Sequence, residues 1–271
     1  MSHLQQAVKL VQEGDRYSGH GRFFSEFIDD WAYRQTGLYA PAKPLSEAKS
    51  KSAHQLSHVI RRAWETCPGE DFIGHVIEEC GGSGHLSFFR TPPALSTLMA
   101  KMMGGSTGLE NFADICCGSG SLTLAHINQT FLDGGAKAVA RLNIMGEDLS
   151  GNKIKAAMLQ IVNLLDILGG GKPLYVHSLR LSEVNSLSRE LGAVQYDFSG
   201  ANNPRCKLSE EQKALVHQAL GADIDIDVIS ERLRVPANLV RRECQVKNGD
   251  LLYKKDYPKL KGNHFEEVAR L

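Results

Sequence analysis

The run Phe112-Ala113-Asp114-Ile115-Cys116-Cys117-Gly118-Ser119-Gly120-Ser121-Leu122-Thr123-Leu124-Ala125 carries residue types that hold a nucleotide-like ligand. A short apolar stretch ends in an acid, a glycine-rich turn follows, and small and apolar residues then begin a helical pattern. That order describes a strand feeding a tight loop at the carboxyl edge of an open α/β sheet, the edge where such ligands bind. Gly118 and Gly120 remove Cβ atoms that would keep a ligand off the backbone, and they permit φ > 0. The next strand pattern ends in Met145-Gly146-Glu147-Asp148. An acid at that point is placed to accept hydrogen bonds from both ribose hydroxyls. Asp148 is the expected acceptor and Glu147 the alternative, although an acid just before Ser150 also suits a helix cap.

The turn has neither the three-glycine dinucleotide spacing nor a Gly-Lys-Ser/Thr for a triphosphate. Asp114 would repel a pyrophosphate, whereas it suits a cationic amino-acid group. S-adenosylmethionine carries both an ammonium and a sulfonium, so the charge favours it over a nucleotide.

Three regions surround this constellation. Residues 1–66 read as helical, with Phe23, Phe24, Phe27, Ile28 and Trp31 as a core stripe. A polar, loop-like stretch follows over 41–52, before Leu56, Val59, Ile60 and Trp64 resume the helical period. Residues 67–205 read as an α/β unit. Helical patterns over 72–80, 93–103 and 153–168 alternate with strands over 111–115, 141–148 and 173–176, and a weaker strand over 194–198. Residues 206–271 read as a charged helical segment. Within it, 227–244 has the form of a helix-turn-helix that turns Asn238, Arg241 and Arg242 outward toward DNA. Beyond it, four lysines interleave with Tyr253 and Tyr257, a pattern that fits a solvated basic end better than a phosphate track.

The 271 residues include 31 basic and 31 acidic side chains, so the formal net charge is zero. Strong global attraction to nucleic acid is therefore not expected, and any such contact must be local. No apolar run approaches the roughly 18 residues of a membrane span. The first residues lack the basic-then-apolar order of a secretory signal. The six cysteines form no Cys-x-x-Cys pair, which points to reduced thiols in the cytoplasm. His54 and His58 stand four apart on a helical face, but no Glu or Cys stands at a ligand spacing from them. No metal is expected.

Several of these stretches together resemble the N-6 adenine-specific DNA methyltransferases. That family includes the modification subunits of type I restriction systems and their phage- and plasmid-borne relatives. Phe88-Phe89-Arg90-Thr91-Pro92-Pro93, followed by an apolar helix with Met99, resembles the aromatic-Thr-Pro motif that precedes the cofactor loop. Asp71-Phe72-Ile73-Gly74-His75-Val76-Ile77-Glu78 resembles the family's Asp-x-x-Gly-x-x-x-Glu helix. Asp114 to Gly120 resembles Asp-Pro-x-x-Gly-x-Gly, with Ile115 in place of the proline. Gly146-Glu147-Asp148 with Ala156, Ala157 and Asn163 resembles the second-strand acid and its helix. The four elements occur in the family's order over residues 71–180.

The resemblance implies a Rossmann-like α/β methyltransferase fold that binds S-adenosyl-L-methionine. Phe89, Thr91 and Pro92 would line its methionine end. Asp114, Cys116, Gly118 and Gly120 would form its loop, and Asp148 would hold the ribose. His177 or Ser178 would stand where the family holds the adenine ring with Asp or Asn. The implied activity is methyl transfer to adenine N6 in DNA, within restriction–modification or a mobile element. The family's Asn/Asp-Pro-Pro-aromatic motif has no close copy. Its nearest counterpart is Ala201-Asn202-Asn203-Pro204-Arg205, with Asn202 as the acceptor for the exocyclic amine and Pro204 beside it. No further strands follow to complete the usual seven-stranded sheet. The alternative expectation is a catalytically inactive relative that binds DNA or a restriction–modification partner.

Overall fold

Strand β1 (Glu110–Ile115) alternates cleanly, with Phe112 and Asp114 turned inward and Asn111, Ala113 and Ile115 outward. This computed structural model describes residues 2–18, 22–80, 90–103, 110–172, 174–198, 210–221 and 228–229. The chain divides into two units. One holds Met1–Ala32 with Tyr39–Ser199, and the other holds Tyr33–Leu38 with Gly200–Leu271.

The first unit contains a four-stranded sheet in the order β1-β2-β3-β4, with β2 at Leu142–Asp148, β3 at Ser178–Val184 and β4 at Leu191–Asp197. The first three strands are parallel and β4 is antiparallel to β3. Parallel neighbours need a crossover. Helices α6 (Ser121–Val139) and α7 (Gly151–Gly169) supply the two crossovers. Helix α7 buries ten residues, including Ile154, Leu159, Ile161 and Leu165, because it has protein on two sides. It packs against β2, β3 and β4 on one side and against α3 (Glu47–Thr66) on the other. Helix α3 in turn packs on α1 (His3–Ser18) and α4 (Phe72–Glu79). The aromatic stripe lies in α2 (Phe23–Thr36), where Phe27 meets Trp31 and Trp31 stacks on Trp64 of α3.

Helix α5 (Pro93–Met103) starts on a proline, whose missing N–H costs nothing at a helix's first position. It packs on α6 and buries only Ser96 and Ala100. In the second unit, α8 (Glu210–Gly221) buries Val216 and Ala219.

The fold is therefore mixed α/β around an open, mostly parallel sheet. Helices cover one face of it. The other face carries exposed Asn111, Ala113, Ile115, Met145, Arg180 and Asp197. Asn143 donates to Asn111 at 2.9 Å and accepts from Ser178 at 2.9 Å, which links three strands on that face. Parallel sheets usually bury both faces; the polar cross-strand pairs explain how this one leaves a face in water.

Two expected boundaries move. The third strand occupies Ser178–Val184 instead of 173–176. Leu174 and Val176 are buried, but β2 pairs Asn143 with Ser178 and so starts the strand later. Helix α3 begins at Glu47, inside the stretch read as loop, because its polar side chains face solvent while Ser52 and Ala53 are buried.

Candidate functional site at the carboxyl edge

The turn after β1 holds three left-handed residues, Cys116 (φ 73°), Gly118 (φ 58°) and Gly120 (φ 98°). At the two glycines this costs little; at Cys116 it stores strain of order 1 kcal/mol. A Cβ on Gly120 would stand 3.4 Å from Ala157 Cβ, so this glycine sets the approach of α6 to α7. Gly118 keeps partly exposed bare backbone at the edge.

The neighbouring strand fixes the turn. Cys117 donates its N–H to the Glu147 carbonyl at 2.8 Å, and Gly118 donates its own to Asp148 Oδ2 at 3.0 Å. Asp148 Oδ1 accepts from Ser150 N–H at 2.9 Å. Each oxygen keeps a further lone pair for an incoming hydroxyl. Asp148 thus closes a turn onto Ser150, the N-cap of α7, and does not itself cap the helix. Glu147 differs, because Arg189 clamps its carboxylate with two bonds at 2.7 and 2.8 Å. That pairing holds the Glu147 carboxyl below the ordinary carboxylate range, against an opposing push from burial. Both Glu147 oxygens are thus taken by a cation, whereas the buried Asp148 accepts one backbone N–H on each oxygen.

A second acid sits behind the turn. Asp114 Oδ2 accepts the Thr123 hydroxyl at 2.8 Å. Burial pushes the Asp114 carboxyl up, bonds from Thr123 pull it down, and the negative Asp148 adds to the rise. The Cys117 thiol is held well above its usual range by burial and by the same two carboxylates, so it stays protonated and inert. Cys116 is exposed, with its Sγ 3.9 Å from Ser186 Oγ.

The far side of the turn rests on a buried polar hub. Asp71 caps α4, its Oδ1 accepting from Gly74 N–H at 2.7 Å and from Gln160 Nε2 at 2.7 Å. Its Oδ2 accepts the Ser119 hydroxyl at 2.6 Å and the Ser121 hydroxyl at 2.5 Å. Gln160 also donates to the Ser119 carbonyl at 2.9 Å, and its Oε1 accepts from Ile73 N–H and Trp64 Nε1. The carboxylate and amide thus reach α3, α4, α6, α7 and the turn at once. A fully satisfied buried network of this kind rigidifies what it touches. The Asp-x-x-Gly spacing has a steric cause as well, since a Cβ on Gly74 would lie 2.2 Å from Asp71 Oδ2.

Beside the hub, a cleft of about 380 Å³ opens between α5 and α6 over the turn before α4. Thr91, Arg90, Glu70, Asp71, Ser121 and Asn128 are among its lining residues. Pro92 is exposed, and its carbonyl accepts from Leu95 and Ser96 at the start of α5.

The structure thus gathers Asp114, Cys116, Gly118, Gly120 and Asp148 at one edge, with Thr91 and Pro92 at the start of α5. It moves His177 away. His177 precedes β3 and is exposed at the amino edge, the end opposite the glycine turn, because the strand begins only at Ser178. The carboxyl end of β3 is instead Glu183 and Val184, with Glu183 level with Asp148. Phe89, Asn202, Pro204, Asn238, Arg241 and Arg242 lie outside the described residues, as does nearly all of 227–244. Sequence reasoning passed over Ser119, Ser121, Gln160 and Arg189. An amide amid the apolar positions of α7 was the one available signal for Gln160.

Among the described residues, no group of three or more His, Cys, Asp or Glu side chains is placed to hold a metal ion. None of the described helices is long and apolar enough to cross a membrane. No family model, curated protein or solved structure matches this chain.

Proposed function

We propose that the carboxyl edge of β1 and β2 binds S-adenosyl-L-methionine, in a half-sheet of Rossmann-like type, and that the chain is an adenine-N6 DNA methyltransferase or a relative of one. The observation that carries this reading is the bond from Gly118 N–H to Asp148. It sets a bare glycine backbone beside an acid at the end of the adjacent strand, the arrangement a ribose-bearing ligand needs. The residues fit the cofactor's chemistry. Asp114 and Asp148 give the edge negative character toward a sulfonium and an ammonium, and Asp148 keeps lone pairs for two hydroxyls. Thr91, at the start of α5, lines the cleft that also reaches Ser121 beside the turn.

When bound, the cofactor supplies an electrophilic methyl group. The chain's part is orientation and charge placement, for which no strong base is required. The Asp71–Gln160 hub holds the turn rigid, Asp148 anchors the ribose, and Asn202 would accept hydrogen bonds from the target amine. DNA is the proposed substrate, with Asn238, Arg241 and Arg242 as its contacts. A restriction–modification or phage- or plasmid-encoded protein is the proposed partner. The test is transfer of labelled methyl from the cofactor to unmethylated DNA, with loss of transfer in Asn202→Ala. A full-length chain that neither gains thermal stability from S-adenosylmethionine nor transfers methyl overturns the reading.

One observation favours a second reading, a relative that binds the methyl donor without transferring it. Strand β4 runs antiparallel, and Arg180 pairs with Asp197, so the strand that precedes Asn202 ends at the amino edge and not beside the glycine turn. Cofactor-dependent stabilisation with no methyl transfer on any DNA supports this second reading.

A further inference from the structure

On the solvent face of α3, the Nε2 atoms of His54 and His58 lie 3.2 Å apart, and the two rings meet edge to face with centroids 4.6 Å apart. Either ring can be the donor in the bond between them, and the two nitrogens already stand at a separation that one ion can bridge. Imidazole nitrogens bind late first-row divalent ions at roughly 2.0–2.1 Å. At that bond length, two nitrogens 3.2 Å apart subtend about 100° at a shared ion, between the octahedral and tetrahedral angles. To face that ion each ring turns its Nε2 lone pair about 40° off the line that joins the two nitrogens, and the donor ring takes the tautomer with its proton on Nδ1.

The scaffold is rigid. Helix α3 runs for 20 residues and is pinned from its other side by buried Ala53, Leu56 and Ile60, so the pair forms without ordering any chain. The Ser57 hydroxyl turns back to the His54 carbonyl and does not compete. No third protein ligand joins them among the described residues. Spacing alone therefore pointed to an ordinary wet surface, and the nitrogen-to-nitrogen distance changes that reading.

We propose that His54 and His58 form a two-imidazole chelate for a divalent late first-row transition ion, with water in the remaining coordination positions. All-nitrogen donors select nickel, copper or zinc over magnesium or calcium, which take oxygen ligands. The site belongs to the helical layer and is independent of the carboxyl edge.

Calorimetric titration of the full-length chain with Ni²⁺ tests the proposal, with His54→Ala and His58→Ala beside the wild type. Both side chains are exposed, so both variants should keep the wild-type thermal midpoint. The wild type should bind one equivalent more than either variant, and the double variant should bind no less than the singles, since a chelate is lost when either half is removed. Nitrogen-15 spectra with Zn²⁺ should shift the Nε2 resonances of both rings together. Equal stoichiometry in all four proteins, or losses that add in the double variant as for two independent surface histidines, would overturn the chelate.

Discussion

The Asp71 carboxylate lies against the bare α-carbon of Gly74, so close that any side chain there would stand 2.2 Å from Oδ2. The same oxygen receives the hydroxyls of Ser119 and Ser121. The shape of the glycine turn thus depends on a missing methyl group on another helix.

Gly74→Ala should therefore displace Asp71 and release Ser119. The expected loss is about 1–3 kcal/mol from overpacking, read as a lower urea midpoint with an unchanged slope. Asp71→Asn should cost at least as much, about 2–3 kcal/mol, because an amide group turns donors toward donors that lose a charged acceptor. A wild-type midpoint in both variants would remove the hub from the account of the turn.

The two acids at the end of β2 should separate cleanly. Asp148→Asn takes a charged acceptor from Gly118 and Ser150 and should abolish stabilisation by S-adenosylmethionine in a thermal-shift assay. Glu147→Gln should leave that shift near wild type, since Arg189 already engages the Glu147 carboxylate. The reverse ranking would move the ribose contact to Glu147.

Acid should weaken the fold in two steps. His126 is buried against Phe112, and burial lowers its imidazole below the ordinary value, with Glu110 opposing the shift. A group depressed in the folded state contributes stability that is lost as pH falls. The loss starts near the unfolded imidazole value of about 6.5. Glu147 is also depressed, by Arg189, and its loss begins near the unfolded carboxylate value of about 4.3. Asp114 is raised and has the opposite sign, so its protonation offsets part of the loss. Urea midpoints should fall between pH 7 and pH 3, His126→Phe should flatten the upper step, and Arg189→Ala the lower one, below about pH 4.3.

Tyr39 guards the outer edge of the sheet. Its hydroxyl donates to the Gln195 carbonyl and accepts the Gln195 N–H at 2.7 Å, standing in for a neighbouring strand. Tyr39→Phe leaves both groups unpaired and should cost about 1–3 kcal/mol. Hydrogen exchange at Gln195 should quicken well beyond that at Tyr196. Unchanged exchange would mean that the hydroxyl does not protect this edge.

The sequence by itself determined the elements whose signals are local. The glycine turn between an apolar run and a helix, the strand ending at Asp148 and the helix from Pro93 to Met103 all lie where the residue patterns put them. Each is set by neighbours a few residues apart, through periodicity, turn chemistry and a helix-starting proline. The third strand failed that test. Ser178, Arg180 and Ser182 alternate with Leu179 and Leu181 on a sheet with one wet face, so the more apolar 174–176 looked better, and only pairing with β2 sets the true register. Tertiary structure alone decided the Asp71–Gln160 hub, whose members are 89 residues apart, and the partner of Glu147, Arg189, which lies 42 residues beyond it. Hydrogen bonds and charge pairs act through space, and chain order says nothing of which polar groups folding will bring within 3 Å.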